Sequence, residues 1–209
     1  MNRIAIPEEA YTEHYGSTTA YVYRSYAPKL TAAMGNLSMT VYQETQLPIR
    51  VIEAARVRTA QINGCRTCKT WRAARDLPDA LQGVGGDVDR SFVGRAAAKP
   101  DEAFYAAIEG WRSSQLFSDQ ERLAIEFAER MGEAPHSFEG DESFWARIHA
   151  HFTDEEIVDL TVSIGSWIAA GRFLHILEID PEVCSVEPVS LRSATSGPID
   201  VNPGLITAP

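Results

Sequence analysis

Two cysteines that lie three residues apart, Cys65 and Cys68, are the side chains in this sequence best suited to covalent chemistry. On a helix, side chains at i and i+3 share one face and are close enough to form a disulfide. The pattern predicts a helix that begins beside Cys65, where unpaired backbone N–H groups favour a thiolate. Arg66, Lys69 and Arg72 add positive charge. Because a thiol with a lowered pKa is both a nucleophile and a good leaving group, the pair predicts redox chemistry.

The Cys pair has three other interpretations. Two incidental small residues in a helix remain an alternative. Half of a zinc site is disfavoured, because zinc takes four ligands, no second Cys pair follows, and His149 and His151 are two positions apart and face different directions on a helix. A thioredoxin-type protein would place a strand before the motif, whereas a helix is predicted there. The sequence therefore predicts no metal and no other cofactor.

Glu53 is the carboxylate closest to the pair on the preceding predicted helix, twelve residues before Cys65. Its neighbours are mostly apolar, which predicts partial burial. A partly buried carboxylate near a thiol can act as a base or as a member of a proton relay. The alternative, which spacing alone favours, is an ion pair with Arg50 or Arg56 at i−3 or i+3.

Length and charge narrow the class of protein. The 209 residues predict one domain, and a formal charge of −10 disfavours binding to nucleic acid or to an anionic membrane surface. We find no signal peptide, and no apolar run approaches the length needed to cross a bilayer. Three cysteines do not make a secreted disulfide framework, so we expect a cytoplasmic protein.

The elements that position these residues are predicted to be helices, and the fold class is all-α. Ser118 and Thr153 each open a helix with a capping box, the second of which continues to about Leu177. Tyr21–Tyr26 is the best strand candidate, and it is short. Further helices are predicted over about 28–46, 48–62, from Cys65 to Asp76, and from Asp141.

The domain organisation is predicted as one helical domain over residues 1–180. An irregular arm covers residues 1–18, and a Gly-rich insertion covers about 77–110, with a loop at 83–94. Residues 181–209 hold five of the eleven prolines and predict an extended tail, which carries Cys184 as an incidental free thiol.

The segment from Glu53 through Gln61-Ile-Asn-Gly-Cys65-x-x-Cys68 resembles the core of the alkylhydroperoxidase D-like, or carboxymuconolactone decarboxylase, superfamily. The resemblance covers roughly residues 28–180 and is strongest over 47–75 and 116–178. It implies a multi-helix bundle that forms oligomers, here a dimer, trimer or hexamer.

The Cys pair places the chain nearer to the redox branch of that superfamily. The resemblance implies that Cys68 attacks a hydroperoxide, that Cys65 resolves the sulfenic acid, and that a thiol or dithiol donor then reduces the disulfide. It also implies that Glu53 is the relay carboxylate. We therefore expect a Cys-based peroxidase or thiol–disulfide oxidoreductase.

Arg72 is a departure from the pattern of the redox branch, which has His at this position. Arginine stays protonated at neutral pH and cannot pass on a proton. If the helix continues from Cys68, Arg72 lies one turn further on the same face and can stabilise the thiolate or pair with Glu53. The sequence therefore predicts weak peroxidase activity. Two rivals stay open: a redox-sensing or non-catalytic helical oligomer, and a lyase acting on a small acid.

Overall fold

Nine α-helices make up most of the part of the chain that the structure, a computed structural model, describes: residues 3–7 and 18–179. They are α1 (Thr18–Ser25), α2 (Pro28–Glu44), α3 (Ile49–Asn63), α4 (Arg66–Thr70), α5 (Ala73–Val84), α6 (Glu102–Ala107), α7 (Asp119–Glu133), α8 (Glu142–His149) and α9 (Asp154–Ile176). The all-α prediction is confirmed. The predicted tail with Cys184, and most of the predicted arm, lie outside the described residues.

The hydrophobic core forms around α3, which packs against α7 on one side and α9 on the other. Ile52 and Ala55 of α3 have no exposed surface, nor do Ala128 of α7 and Ile164 of α9. Burying an isoleucine side chain stabilises the fold by roughly 1.5–3 kcal/mol, whereas the alanines mainly let the helices approach closely. Because α3 is buried on nearly every side, polar residues within it are fixed in position by the core.

The predicted capping boxes are both present, at the first turns of α7 and α9. The Ser118 hydroxyl accepts a hydrogen bond from the Glu121 backbone N–H, and the Glu121 carboxylate accepts one from the Ser118 N–H. Thr153 and Glu156 repeat the arrangement at α9. An N-cap of this kind typically contributes about 1 kcal/mol, which is why local sequence locates both helix starts well.

The close approach of α9 to α3 depends on a glycine. A Cβ atom at Gly171 would lie 2.5 Å from the Asn63 amide nitrogen, so a larger residue would push the two helices apart. In the structure, that amide donates to the Trp167 carbonyl oxygen over 2.9 Å. The contact holds the end of α3, just before the cysteines, against the middle of α9.

By length and composition, α9 is long and apolar enough to cross a membrane, with a mean hydropathy of 1.3. The expectation that no apolar stretch reaches that length is therefore wrong for this helix. The core helix of a soluble protein passes the same test, and Leu160, Ile164 and Trp167 of α9 are buried inside the protein. The absence of a membrane partner stays a prediction.

The strand predicted over Tyr21–Tyr26 is wrong, because this segment forms most of α1. Ala20 and Val22 are buried as α1 packs against α2, and the Tyr23 ring contacts Phe173 of α9 edge to face at 5.8 Å. The strand preference of Tyr and Val reflects packing on a half-buried sheet more than an intrinsic backbone preference. Here helical neighbours provide the packing instead.

The single helix predicted from Cys65 to Asp76 is also wrong, because it is broken in two. Trp71 and Arg72 have extended backbones, with ψ angles of 137° and 113°, between the end of α4 and the start of α5 at Ala73. The Asp76 carboxylate accepts a hydrogen bond from the Arg72 N–H over 2.7 Å, which supports the new start.

Arginine side chains stabilise the break between α4 and α5, because they donate hydrogen bonds to the carbonyl oxygens of residues 68–71. Arg56 donates to the carbonyls of residues 68 and 71, each over 2.7 Å. Arg72 and Arg75 donate to those of residues 69 and 70, over 2.7 Å and 2.9 Å. Carbonyls at a helix end need partners outside the helix, and guanidinium groups supply them here.

The segment predicted as a Gly-rich insertion, about 77–110, is partly helical. α5 continues to Val84 and ends at Gly85, whose φ of 78° is in the left-handed region that glycine favours. The predicted loop therefore begins two residues later than expected. α6 follows it, capped by the Asp101 carboxylate, and Tyr105 of α6 reaches back to α3.

Candidate functional site

The Cys pair lies at the start of α4, where the sequence predicts it. Cys65 and Cys68 are joined by a disulfide, and their Cα atoms are 5.3 Å apart. Cys65 is the N-cap residue, and its sulfur accepts a hydrogen bond from the Cys68 backbone N–H over 3.2 Å. Cys65 has no exposed surface, whereas Cys68 is partly exposed. Of the two sulfurs, that of Cys68 belongs to the more accessible residue.

The chain enters the Cys pair through a glycine turn. Gly64 has a φ of 71° and ends α3, which redirects the chain into α4. A Cβ atom there would lie 3.0 Å from the imidazole ring of His175 in the last turn of α9. Glycine at this position therefore meets both a backbone requirement and a close contact.

Glu53 is completely buried and fully hydrogen-bonded. Its carboxylate accepts from Arg56 Nε over 2.5 Å, from the Tyr105 hydroxyl over 2.7 Å and from the Ala73 backbone N–H over 3.1 Å. Of the two ion pairs that spacing allows, the one with Arg56 forms, and Arg50 pairs with Glu121 instead. Glu53 thus connects α3 to the start of α5 and to α6.

Arg56 joins this buried carboxylate to residues 65–71, the segment that we call the disulfide loop. Its side chain is 3% exposed, and it donates to Glu53 and to the carbonyl oxygens of Cys68 and Trp71. A planar guanidinium can satisfy several acceptors at fixed angles, which an ammonium cannot. The arrangement fixes the backbone that carries Cys68 relative to the core.

The electrostatics of this cluster keep its protons in place at neutral pH. Burial alone would lower the pKa of Arg56, but the Glu53 carboxylate more than compensates, so the pKa of Arg56 lies above its usual value. Burial, and then the Glu53 charge, hold the pKa of Tyr105 far above its usual range. Tyr105 therefore acts as a hydrogen-bond donor to Glu53 and not as an acid.

Arg72 does not occupy the position that a continuous helix would give it. It lies on the extended link between α4 and α5, its guanidinium pairs with Glu102 at 3.0 Å, and it stacks over the Tyr105 ring at 4.1 Å. The geometric premise that Arg72 follows Cys68 on one helix face is wrong, and Glu53 pairs with Arg56 instead. The role of Arg72 in catalysis stays a prediction.

An apolar cavity of about 160 Å³ opens beside Cys68. Helices α2, α3 and α9 and the disulfide loop form its wall, to which Tyr42, Trp71 and Trp167 contribute aromatic rings. Tyr42 stacks against Trp71 at 6.3 Å and lies 6.5 Å from Trp167, between ring centroids. The cavity has the size of one that holds a benzene-sized molecule.

Several residues of this site carry no signal in the sequence that separates them from core residues. No role in the site is predicted for Tyr42, Trp71 or Trp167, and Arg56 is predicted only as an ion-pair partner of Glu53. Tyr105 lies 52 residues from Glu53 in sequence. Within residues 3–7 and 18–179, no three His, Cys, Asp or Glu side chains are grouped so that they could hold a metal ion.

Comparisons with known proteins give a partial match in sequence. No family model matches the chain. A segment of 73 residues is 38% identical to YnjA of Escherichia coli K12, an uncharacterized protein. The matched segment spans 35% of this chain and 39% of YnjA, so less than half of either protein is aligned.

A solved structure gives a broader match. The crystal structure of a protein of unknown function from Agrobacterium tumefaciens, described as a candidate antioxidant defence protein AhpD, superimposes with a TM-score of 0.57. The match covers 77% of this chain and 96% of the other, at 24% identity. The described part of the chain therefore has an all-helical, AhpD-like fold with its Cys pair at a helix start.

Proposed function

We propose that this protein is a Cys-based hydroperoxide reductase that cycles its Cys65–Cys68 pair between dithiol and disulfide. One observation carries the proposal: Cys68, disulfide-bonded to a buried Cys65, lies on the wall of an apolar cavity. A reactive thiol needs access to its substrate, whereas a resolving thiol needs access only to its partner. The exposures of the two residues support Cys68 as the attacking thiol.

The proposed cycle has three steps. The Cys68 thiolate attacks the terminal oxygen of a hydroperoxide; an S–O bond forms, the O–O bond breaks, and an alkoxide leaves that takes a proton from water. The Cys65 thiol then attacks the Cys68 sulfenic acid, which forms the disulfide and releases water. A thiol or dithiol donor reduces the disulfide and is itself oxidised.

In this proposal Glu53 and Arg56 are positioning residues. Arg56 donates to two carbonyl oxygens of the disulfide loop, and Glu53 holds Arg56 from inside the core. Because the loop is fixed at Cys68 and Trp71, its two cysteines stay within disulfide distance when reduced. The predicted relay role of Glu53 requires that its carboxylate be freed from these partners during turnover.

The size of the cavity supports a small hydroperoxide. Ligand pockets for drug-sized molecules are typically about 300–1,000 Å³, whereas this cavity is about 160 Å³. A short alkyl or single-ring hydroperoxide fits this volume. The unidentified reductant meets Cys68 from the exposed side of α4, where Lys69 and Arg66 are exposed.

A redox sensor is the second candidate, and Arg72 favours it. Arginine stands where the resembled redox branch has its histidine, and it is held by Glu102 and by the Lys69 carbonyl. A protein without a proton donor at this position can oxidise once and signal, without rapid turnover.

Multiple turnover separates the two candidates. Purified protein is mixed with tert-butyl hydroperoxide and an excess of a dithiol donor, and peroxide consumption is followed. A peroxidase consumes many equivalents, and Cys68→Ser abolishes the reaction, whereas Cys184→Ser leaves it unchanged. Consumption that stops at one equivalent per chain supports the sensor, and consumption that persists in Cys68→Ser contradicts the peroxidase.

A further inference from the structure

Tyr42 of α2 brings a phenol hydroxyl to the cavity beside Cys68. Both residues line this cavity, which has a volume of about 160 Å³. The Tyr42 ring stacks on Trp71, with 6.3 Å between ring centroids, and its hydroxyl lies against the indole of Trp167. Because the cavity is small, a molecule bound in it contacts the walls that Tyr42 and Cys68 form.

The Tyr42 hydroxyl is available to a molecule in the cavity. Among the described residues, three side-chain nitrogen or oxygen atoms are shut off from solvent without a hydrogen-bond partner: Nε of Arg58 and Nε1 of Trp71 and of Trp167. The Tyr42 oxygen is not one of these atoms, although it makes no hydrogen bond with the described part of the chain. It therefore keeps accessible surface, and the cavity is the accessible space that Tyr42 lines.

The acidity of Tyr42 suits proton transfer to an alkoxide. Burial raises the pKa of its hydroxyl to about 12, and the Glu53 charge adds to the rise, whereas the Arg56 charge and the Trp167 indole oppose it. The hydroxyl therefore keeps its proton at neutral pH. A simple alcohol has a pKa close to that of water, about 16, so transfer of the Tyr42 proton to an alkoxide is favourable.

The other polar groups of the cavity wall are poorer proton donors. The hydroxyls of Ser38 and Thr67 are themselves simple alcohols, so transfer from them to an alkoxide gains nothing. The Asn63 amide is held by a hydrogen bond to α9. Arg56 already makes four hydrogen bonds, and its pKa lies above its usual value. Of these residues, Tyr42 has the available proton of most suitable acidity.

We propose that Tyr42 is the general acid of the peroxide step: its hydroxyl donates a hydrogen bond to the inner oxygen of the hydroperoxide and gives its proton to that oxygen while the Cys68 thiolate attacks the terminal oxygen. The inference rests on the proposed function and replaces water as the proton source in its first step. Tyr42 thus supplies the proton that Arg72 cannot.

Atoms and electrons balance in this step. An S–O bond forms, and the O–O bond breaks with its electron pair going to the inner oxygen. That oxygen takes the Tyr42 proton and leaves as a neutral alcohol, while Cys68 is oxidised to the sulfenic acid. Water then returns a proton to the tyrosinate.

The test varies the leaving group at the same thiol. Reduced protein reacts with tert-butyl hydroperoxide, whose leaving alkoxide needs a proton, or with peracetic acid, whose leaving acetate does not. Oxidation of Cys68 is timed by quenching and peptide mass spectrometry, and alkylation of Cys68 with iodoacetamide reports the reactivity of the thiolate alone.

Tyr42→Phe keeps the ring and removes a hydroxyl that makes no hydrogen bond with the described residues, so the fold should be retained. Tyr23→Phe is the matched control. Burial raises the pKa of Tyr23 to about 12 as well, but Tyr23 does not line the cavity.

General acid catalysis is typically worth about 10²–10⁴-fold, and water in the cavity replaces part of it. We therefore expect Tyr42→Phe to slow oxidation by tert-butyl hydroperoxide by about 100-fold. Acetic acid has a pKa near that of a glutamate side chain, about 4.3, so acetate leaves without a proton and the loss with peracetic acid should stay below about threefold. Alkylation should be unchanged, and Tyr23→Phe should change none of the three rates.

Equal rates of oxidation by tert-butyl hydroperoxide in wild type and Tyr42→Phe would overturn the assignment of Tyr42. So would an equal loss with the hydroperoxide and with peracetic acid, or a parallel loss of alkylation, because each would show that Tyr42 does not act on the leaving oxygen. If wild-type Cys68 does not react with the hydroperoxide at all, the proposed function itself fails.

Discussion

Arg56 is the residue whose replacement tests the organisation of the site most sharply. In Arg56→Gln, the Glu53 carboxylate stays buried without its counter-charge, the Cys68 carbonyl oxygen loses its guanidinium donor, and the Trp71 carbonyl oxygen keeps only the hydrogen bond from Arg72. Removing one partner of a buried ion pair typically costs about 3–5 kcal/mol, and leaving a buried acceptor unsatisfied costs about 1–3 kcal/mol. Since the side chains are 3% and 0% exposed, solvent screening is small. We expect a loss of about 4 kcal/mol in the free energy of unfolding.

The assay is urea unfolding of the oxidised protein, followed by circular dichroism and extrapolated to water. Arg147→Gln is the matched control: its guanidinium also makes two hydrogen bonds to one carboxylate, that of Glu126, but the arginine side chain is 51% exposed. An exposed pair is worth about 0–1 kcal/mol, so this variant should remain close to wild type.

A double-mutant cycle separates the ion pair from the other contacts of Arg56. Glu53→Gln in combination with Arg56→Gln should be less destabilising than the sum of the two single changes, because the double variant buries no unpaired charge. Arg56→Lys should give an intermediate loss, since one ammonium cannot reach all the acceptors. Additive single changes, or an Arg56→Gln cost below about 1 kcal/mol, would refute the role assigned to the pair.

Three further predictions concern the rim of the site, the assembly and the glycine turn. The hydrogen bond from Arg72, chiefly, holds the pKa of Glu102 below its usual value, so Arg72→Ala should raise it in a carboxyl NMR titration. The lowered pKa of Glu102 stabilises the fold at pH values above the pKa that this carboxyl has in the unfolded chain. This small contribution should disappear as the pH falls through the pKa of Glu102 in the folded protein. A Glu102 titration that Arg72→Ala leaves unchanged would contradict the contact. The family resemblance implies an oligomer, which light scattering would detect; Val158 and Val162 are exposed one turn apart on α9, so we propose that Val162→Glu weakens the assembly, and a monomeric wild type would refute this. Gly64→Ala should destabilise the protein by at least about 1 kcal/mol in urea, because of its positive φ and the His175 contact; an unchanged midpoint would contradict that reading.

Local signals in the sequence predicted those parts of the fold that short-range physics determines. The capping boxes at Ser118 and Thr153 located the starts of α7 and α9, and the helix predicted over about 48–62 matches α3. Each of these features depends on contacts within a few residues, so composition and spacing carry the information. The Cys pair was placed at a helix start for the same reason.

The break between α4 and α5 depends on contacts that are distant in sequence. The guanidinium of Arg56 donates hydrogen bonds to the carbonyl oxygens of Cys68 and Trp71, which lie 12 and 15 positions later in the sequence. The Glu53 carboxylate accepts a hydrogen bond from the backbone N–H of Ala73. The residues after Cys68 are ordinary helix formers, so propensity alone continued the helix and misplaced Arg72. Likewise, the burial of Val22 against α2 and the contact of Tyr23 with Phe173 of α9, and not the strand preference of Val and Tyr, decided the conformation of α1.

The measurement that tests the central claim most directly is peptide mapping of the fully reduced protein after one equivalent of tert-butyl hydroperoxide. The account predicts that one Cys65–Cys68 disulfide forms per peroxide consumed, that Cys184 stays a free thiol, and that Cys65→Ser stops the reaction at a Cys68 sulfenic acid, which a dimedone adduct reports. Peroxide that leaves both thiols reduced, or a disulfide that contains Cys184 in place of the Cys65–Cys68 pair, would contradict it.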